Sequence, residues 1–543
     1  MKIIDRFKKF PVLYFAVALT ALAAVYVCAF FMPAAYQDFI PAKFSPMMVV
    51  TAICFAYFAV LIGDARGRKI KFIVVESVIF AVIGGALFPL FQVVFNILFK
   101  INFNLTMILA QATELVFISV LAVYLFILAA DYFELKDKLK KGISIVLLIA
   151  TFTVCALPAC KALFSDYLRK YEFLTEPTVF VNSNGYSIIF ATSTPGTGAV
   201  TIIKDGVETV YREENNGVEI CDSMVHRVDV PKDALDNAEY YLSSKKTLDS
   251  AAHTYTMGKT ISTGKYSFKP CPTVGDVTFL TLSDNQGTPE ATQKAVNNAY
   301  NTYDYDFVFM LGDHSETYND MEKDVVNSFL KISGLASRGE KPVYYTMGNH
   351  EYRGVLASWL WGYIPTPSVT GEQYYTFTAG DAYFSVLNYG VDHDDDYTAK
   401  YTGIVHNNDY RDKEYLWYKE TMDTKAYEGY RYNVVISHIP PIYGENDGSA
   451  VPAYDWICSE CNKQHSYKWR DFIDEFNAIG VDVAISGHTH KKPMEYTVDG
   501  CNFKQINTGS YYDNKTSYRN VIVSFRDGEC TFFEYSSNMS KTA

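Results

Sequence analysis

Five short segments of this chain concentrate residues that bind metal ions. They are Ser283-Asp284-Asn285-Gln286, Gly312-Asp313-His314-Ser315-Glu316, Gly348-Asn349-His350-Glu351, Ser437-His438-Ile439-Pro440 and Gly487-His488-Thr489-His490. Asp, Asn and His side chains together suit first-row divalent cations. Two cations held roughly 3.5–4 Å apart need a carboxylate between them, and such a pair acidifies water and neutralises charge on a transferring group. Each segment closes an apolar run. Residues 277–282, 307–311, 433–436 and 481–485 read as strands, and the shorter run 343–346 leads into the third segment. A strand that ends in a ligand holds it on a rigid support and aims it into the loop layer. Five such ends can converge on one site.

The segments and their order resemble the calcineurin-like metallophosphoesterase superfamily, whose pattern runs Asp-x-His, Gly-Asp, Gly-Asn-His-Glu/Asp, His and Gly-His-x-His. The strings Gly-Asn-His-Glu and Gly-His-Thr-His match it in full, and the resemblance spans residues 277–533. It implies a four-layer α/β/β/α domain, with two mixed sheets face to face and helices outside. It also implies hydrolysis of phosphate mono- or diesters with two divalent metal ions, Mn, Fe or Zn. Carried over by motif, Asp284, Asp313 and His490 hold the first metal, and Asp313 bridges to the second. Asn349, His438 and His488 complete the second metal. His350 corresponds to the group that protonates the leaving oxygen or stabilises charge on it, with Glu351 orienting His350.

Two positions depart from the pattern. Gln286 stands where the family has His. Its amide oxygen could ligate the first metal or accept a hydrogen bond from water there. Glu316 stands where purple acid phosphatases have Tyr. A carboxylate there could bind the first metal and would favour Mn, Zn or Fe(II) over an Fe(III)–tyrosinate. Tyr318, two residues on, is not expected to reach the metals. His314 falls outside the family ligand set and reads as an exposed loop histidine.

Around this core the chain is uneven. At 543 residues it has room for two to four domains. Residues 1–170 carry 17 Lys+Arg against 9 Asp+Glu, and the remainder 31 against 51. The acidic remainder argues against a nucleic-acid partner, whose phosphates it would repel. Residues 1–165 read as a membrane domain. Apolar runs at 11–32, 46–63, 70–99, 105–130 and 143–164 are each long enough to span a bilayer. Lys2, Arg6, Lys8 and Lys9 precede the first run. Arg66, Arg68, Lys69 and Lys71 follow the second, and Lys136, Lys138, Lys140 and Lys141 follow the fourth. The alternate links hold only Lys43 and Lys100. The positive-inside rule then places the N-terminus in the cytoplasm and everything after about residue 165 outside it. The first run is longer than a usual signal peptide, and cleavage there would leave the same orientation. The expected partners are the bilayer and a phosphoester substrate, with cell-envelope and lipid-linked substrates both open.

Glu76 and Glu114 lie inside apolar runs. Intramembrane carboxylates are functional candidates, or they sit near span ends or bond a neighbouring helix. Two other functions stay open at this point: a metal- or phosphate-binding sensor relaying through the spans, and a transporter with an accessory ectodomain.

Residues 166–176 read as a connector. Over 177–272, short β-rich runs at 178–182, 186–192, 200–204, 225–230 and 240–243 alternate with turn pairs such as Asn184-Gly185 and Asp205-Gly206. That spacing indicates a small antiparallel sandwich. Its position resembles the fibronectin-III-like domain of purple acid phosphatases. The metallophosphoesterase domain takes 273–543, with helices expected at 290–302, 324–337 and 413–424 and long polar inserts at 393–411 and 443–467. Of ten cysteines, Cys28, Cys54, Cys155 and Cys160 lie in apolar runs. Cys221, Cys271, Cys458, Cys461, Cys501 and Cys530 are expected outside, where disulfides persist. Cys501 and Cys530 could pair. Cys458 and Cys461, near His465, read as a disulfide or free thiols rather than a zinc site.

Overall fold

The computed structural model describes residues 170–249, 256–286, 288–393, 395, 401, 403–453, 457–458, 463–464, 468–513 and 515–539, with isolated positions between 136 and 146. The five expected spans lie outside the described residues, apart from Ile143 and Val146. Among the described residues no helix is long and apolar enough to cross a membrane. Tyr171–Lys246 and Lys259–Ala543 form one compact unit, and the fold below is that unit's.

Its first part is a β-sandwich. The strands are β1 (Thr178–Asn182), β2 (Gly185–Gly196), β3 (Ala199–Lys204), β4 (Val207–Arg212), β5 (Ser223–Pro231) and β6 (Glu239–Asp249). β2 pairs antiparallel with β1 and β5, and β3 with β4 and β6. Val179, Ile188, Phe190, Val228, Val200, Ile202 and Leu242 close a core between the two layers. The turn pair Asp205-Gly206 does its expected work: Asp205 adopts positive φ, and so does the Gly206 that follows it.

The second part alternates strands and helices. Its first half holds β7 (Val277–Leu282), α1 (Pro289–Thr302), β8 (Phe307–Met310), α2 (Lys331–Ser337) and β9 (Pro342–Tyr345). A wide-turn helix, Met321–Leu330, runs directly into α2. Its second half holds β10 (Tyr375–Ala379), β11 (Ala382–Leu387), α3 (Asn407–Asp423), β12 (Tyr432–Ser437), α4 (Trp469–Ile479), β13 (Val483–Ser486), β14 (Met494–Tyr496) and β15 (Lys504–Asn507). Two long strands follow, β16 (Ser517–Arg526) and β17 (Glu529–Ser536). One mixed sheet runs β16-β7-β8-β9, with β7, β8 and β9 parallel and β16 antiparallel. The other runs β10-β11-β12-β13-β15-β14, parallel through its middle.

The period-2 pleat explains the layers. In β7 and β8 the odd positions Val277, Phe279, Phe307 and Phe309 meet the second sheet's Phe384, Val434, Ile436, Val483 and Ile485. The even positions Leu280, Leu282, Val308 and Met310 meet α1, α2 and Phe329. On the second sheet's far face, Val435 and Ala484 pack under Tyr418, Phe472 and Phe476 of α3 and α4. The result is the expected α/β/β/α order. Phe279 stacks on Phe307 at 4.7 Å and meets Phe384 edge-on at 5.8 Å. Truncating it to Ala would cost about 3–5 kcal/mol.

Three local readings need adjustment. The helix expected at 324–337 begins at Met321, and its first ten residues are wound more widely than an α-helix. The helix expected at 413–424 begins at Asn407, inside what read as a polar insert, where the Asp395 carboxylate accepts the Asn407 N–H at 2.6 Å. The sandwich is continuous with the catalytic sheet: β1 pairs in parallel with β9, Val179 opposite Pro342 and Phe180 opposite Val343. The strand run at 178–182 carried no sign of that long-range partner.

Cys501 and Cys530 are free thiols, as is Cys271. Cys530 packs against the core between the sheets and Cys501 against the core under α3 and α4, so the second sheet separates them. Cys461 and His465 lie outside the described residues.

Candidate metal centre

Strand register decides which loop residues become neighbours. Leu282 pairs with Met310, and Met310 with Tyr345. β7, β8 and β9 therefore end level, and Asp284, Asp313 and Asn349 follow side by side. In the second sheet Ile436 pairs with Ile485, which brings His438 beside the turn at Gly487–His490. The Asp284 N–H donates to the Gly312 carbonyl at 3.1 Å, and the Gly487 N–H to the His438 carbonyl at 3.1 Å. The site thus forms at the carboxyl ends of parallel strands from both sheets.

These turns are strained. Asp284, Asp313, His488 and His490 have φ of +50°, +57°, +67° and +54°. Non-glycine residues occupy that region at a cost, and such outliers cluster at functional sites. Glycines let the backbone approach the ligands. A Cβ on Gly348 would lie 2.2 Å from Asp313 Oδ1, and one on Gly487 would lie 2.4 Å from Asp284 Oδ2.

Two overlapping groups of ligand atoms result. Asp313, His438 and His488 offer atoms all within 4.8 Å of one another, and so do Asp284, Asp313 and His490. Asp313 belongs to both. His438 Nε2 lies 3.2 Å from Asp313 Oδ2, and His490 Nε2 lies 3.4 Å from Asp284 Oδ1. The end of the Asn349 amide that faces the first group is 3.2 Å from His488 Nδ1, 3.3 Å from His438 Nε2 and 3.2 Å from Asp313 Oδ2. Gln286 Nε2 stands 3.4 Å from His490 Nε2. Asp284 Oδ1 and Gln286 Oε1 are buried oxygens without a hydrogen-bond donor. Buried lone pairs need a partner, and a divalent cation supplies one. The donor set therefore fits divalent metal ions.

The imidazoles are prepared for that role. His438 Nδ1 donates to the Leu311 carbonyl at 2.6 Å, which turns the Nε2 lone pair toward Asp313. Burial opposes protonation of His438, but the Asp313 carboxylate outweighs it and lifts the imidazole to about 10. Proton and cation compete for the same Nε2. Burial and the neighbouring His438 push His488 down to about 3, so it stays neutral.

His350 sits at the edge, with Nε2 3.7 Å from Asp313 Oδ2 and Nδ1 donating to the Glu316 carbonyl at 2.9 Å. Its own N–H donates to Asp313 Oδ1 at 2.8 Å. Glu351 does not touch the His350 ring. Its buried carboxylate accepts the N–H groups of Asp313 at 2.8 Å, Gly348 at 2.9 Å and His314 at 3.0 Å, and the Tyr318 hydroxyl at 2.8 Å. Glu351 thus sets the backbone that carries Asp313.

Other expectations also shift. The Glu316 side chain lies in neither ligand group. It is half exposed and pairs with Lys515 at 2.6 Å. The Tyr318 hydroxyl faces Glu351 rather than the ligands. His314 is fully buried, not exposed. Its Nδ1 bonds Asn285 Oδ1 at 2.6 Å, and its ring meets Phe329 edge-on at 5.3 Å. Two Glu351-bound N–H groups hold its loop inward, which sequence position alone did not reveal.

Sequence reasoning passed over Arg353, Tyr401 and Asp392. Arg353 Nη1 donates to His350 Nε2 at 2.9 Å and Nη2 to the Tyr401 hydroxyl at 3.1 Å. Tyr401 in turn donates to Asp392 Oδ1 at 3.0 Å. A usable signal existed for Arg353: it lies three residues after His350, on the same face of a turn. Tyr401 sits in an insert without periodicity, with Asp392 just before it, and neither gave a signal.

Residues 277–492 match the family model described as calcineurin-like phosphoesterase. No curated protein matches the chain. Among solved structures, PhoD is similar at 13% identity, covering 68% of this chain and 90% of PhoD, with a TM-score of 0.43. A dimetal phosphatase from Danio rerio is similar at 13% identity, covering 49% of this chain and 97% of its own, with a TM-score of 0.34. Residues 277–492 thus constitute a calcineurin-like metallophosphoesterase domain, and the chain is a hydrolase of phosphoester bonds.

Proposed function

We propose that this protein is a membrane-anchored phosphoesterase that cleaves phosphate mono- or diesters outside the cytoplasm. One observation carries the chemistry: Asp313 is shared by two ligand groups. Asp284, Asp313, His490 and Gln286 would hold one divalent ion, Mn, Fe or Zn, and Asp313, Asn349, His438 and His488 the other. Such ions supply Lewis acidity and acidify water. The protein's own groups do the rest. Glu351 fixes the Asp313 loop, and the Gly348 and Gly487 turns keep the ligand carboxylates in place. His350 donates through Nδ1 and accepts from Arg353 at Nε2, the nitrogen that would serve the departing oxygen once Arg353 turns to the substrate. The sandwich at 177–272 takes the place of a fibronectin-III-like domain beside the catalytic one. The Lys/Arg distribution between the apolar runs of residues 1–165 supports the anchor and its orientation.

Two measurements test this. The full-length chain, purified in detergent, should hydrolyse 4-nitrophenyl phosphate, lose that activity to a chelator and regain it with Mn(II). Stoichiometric metal binding without hydrolysis of any aryl phosphate would replace the enzyme with a sensor. A reporter fused after Ala543 should be active only if it works outside the cytoplasm; cytoplasmic activity there would overturn the orientation.

A further inference from the structure

We infer that Arg353 is a substrate-binding residue that takes a terminal oxygen of a phosphomonoester, and that this contact makes the enzyme prefer monoesters to diesters. The inference rests on the phosphoesterase reading and names the substrate class of the same site.

Arg353 is placed for it. Its fork reaches His350 Nε2 at 2.9 Å and the Tyr401 hydroxyl at 3.1 Å, so it stands directly beside the ligand groups. Its hydrogen-bond partners are an imidazole and a phenol rather than a carboxylate, and the Asp313 and Asp392 carboxylates act on it only through space. Lys515 is engaged with Glu316, whose other carboxylate oxygen lies 3.7 Å from His350 Nδ1. Tyr401 aims the guanidinium: it accepts from Nη2, its ring lies 5.4 Å from the guanidinium carbon, and its own O–H donates to the partly buried Asp392.

Asn349 ties Arg353 to the state of the centre. When the amide oxygen faces His438, His488 and Asp313, as ligation of a cation requires, the amide nitrogen lies 3.4 Å from Asp392 Oδ1 and is turned toward the Arg353 side. The reverse orientation places the amide oxygen 2.8 Å from Arg353 Nη2. Ligation by Asn349 therefore removes one acceptor from Arg353: Nη2 keeps its bond to the Tyr401 hydroxyl, and its second N–H is available to an anion. A diester has only two unesterified oxygens. A monoester has a third, and it carries the additional negative charge. A planar guanidinium at the rim answers that oxygen.

The test compares wild type with Arg353→Gln, Arg353→Lys and Tyr401→Phe in the full-length, Mn(II)-loaded protein. Substrates are 4-nitrophenyl phosphate and bis(4-nitrophenyl) phosphate, and calorimetry measures binding of inorganic phosphate and dimethyl phosphate. Loss of one charge-assisted hydrogen-bonding group should lower kcat/KM for the monoester about 10–100-fold in Arg353→Gln, with the diester changed less than about 3-fold. Arg353→Lys should recover part of the loss. Tyr401→Phe, a change in a positioning residue, should weaken the monoester alone by a smaller factor. Phosphate binding should weaken in Arg353→Gln at unchanged metal content, and dimethyl phosphate binding should not. Equal losses on both esters, or phosphate binding unaffected by Arg353→Gln, would overturn the inference. If wild type hydrolyses neither ester, the phosphoesterase reading fails instead, and the phosphate-binding comparison still decides the role of Arg353.

Discussion

Glu351→Gln is the most informative single change in this site. The Glu351 carboxylate is fully buried and accepts four hydrogen bonds. Oε2 takes the Asp313 and Gly348 N–H groups, and Oε1 takes the His314 N–H and the Tyr318 hydroxyl. Gln keeps the shape but turns one oxygen into a donor. Whichever end carries the NH2, it faces two donors. Each buried donor left without an acceptor costs about 1–3 kcal/mol, so the change should destabilise the loop by about 2–6 kcal/mol. The energy is local, because the donors lie at the ends of β8 and β9 rather than in the sheet cores. The loop carrying Asp313 should loosen before the domain unfolds. Loss of such a supporting contact typically costs 10–100-fold in metal affinity. The assay is titration of Mn(II) by calorimetry alongside a thermal melt in the presence of chelator. The expected outcome is at least about tenfold weaker metal binding, a lower melting temperature and proportionate loss of hydrolysis. Metal affinity within about 3-fold of wild type and an unchanged melt would refute the view that Glu351 acts by holding the Asp313 backbone.

Other outcomes follow from the same geometry. His350→Ala should lower turnover roughly 10²–10⁴-fold on a poor leaving group while both metals stay bound; near-normal turnover would remove His350 from the chemistry. His488→Ala and Asp313→Asn should lose metal together with rate, measured as metal content after gel filtration. Gly348→Ala places a Cβ 2.2 Å from Asp313 Oδ1, so it should impair metal binding more than Glu316→Gln, whose side chain pairs with Lys515 at the rim; the reverse ranking would show that Glu316 reaches the centre. The Tyr318 hydroxyl is committed to Glu351, so the iron-loaded protein should be colourless; an intense visible band would mean that a tyrosinate ligates iron.

Much of the centre was legible in the residue string, and the reason is local. Asp284, Asp313, Asn349, His438, His488 and His490 each follow a strand-like run directly. A strand end leaves few degrees of freedom to the residue that follows it, so type and spacing pointed to five converging segments, and the family resemblance picked out these six residues within them. The layers were legible too, because the period-2 pleat of β7 and β8 is visible in their alternating aromatic and aliphatic residues.

What tertiary structure decided were the partners of side chains that have several choices. Glu351 could have turned to His350, its neighbour in sequence, yet it bonds backbone N–H groups nearly forty residues earlier. Glu316 carries the right charge for a ligand, but its loop delivers it to Lys515, a pairing across 199 residues. His314 went into the core because Glu351 and Asn285 hold it there. Cys501 and Cys530 stay apart because a sheet runs between them. Arg353 gained a role only when the chain returned at Tyr401. In each case the deciding contact joins residues far apart in sequence. Its energy depends on ångström-level approach, which periodicity and composition do not encode.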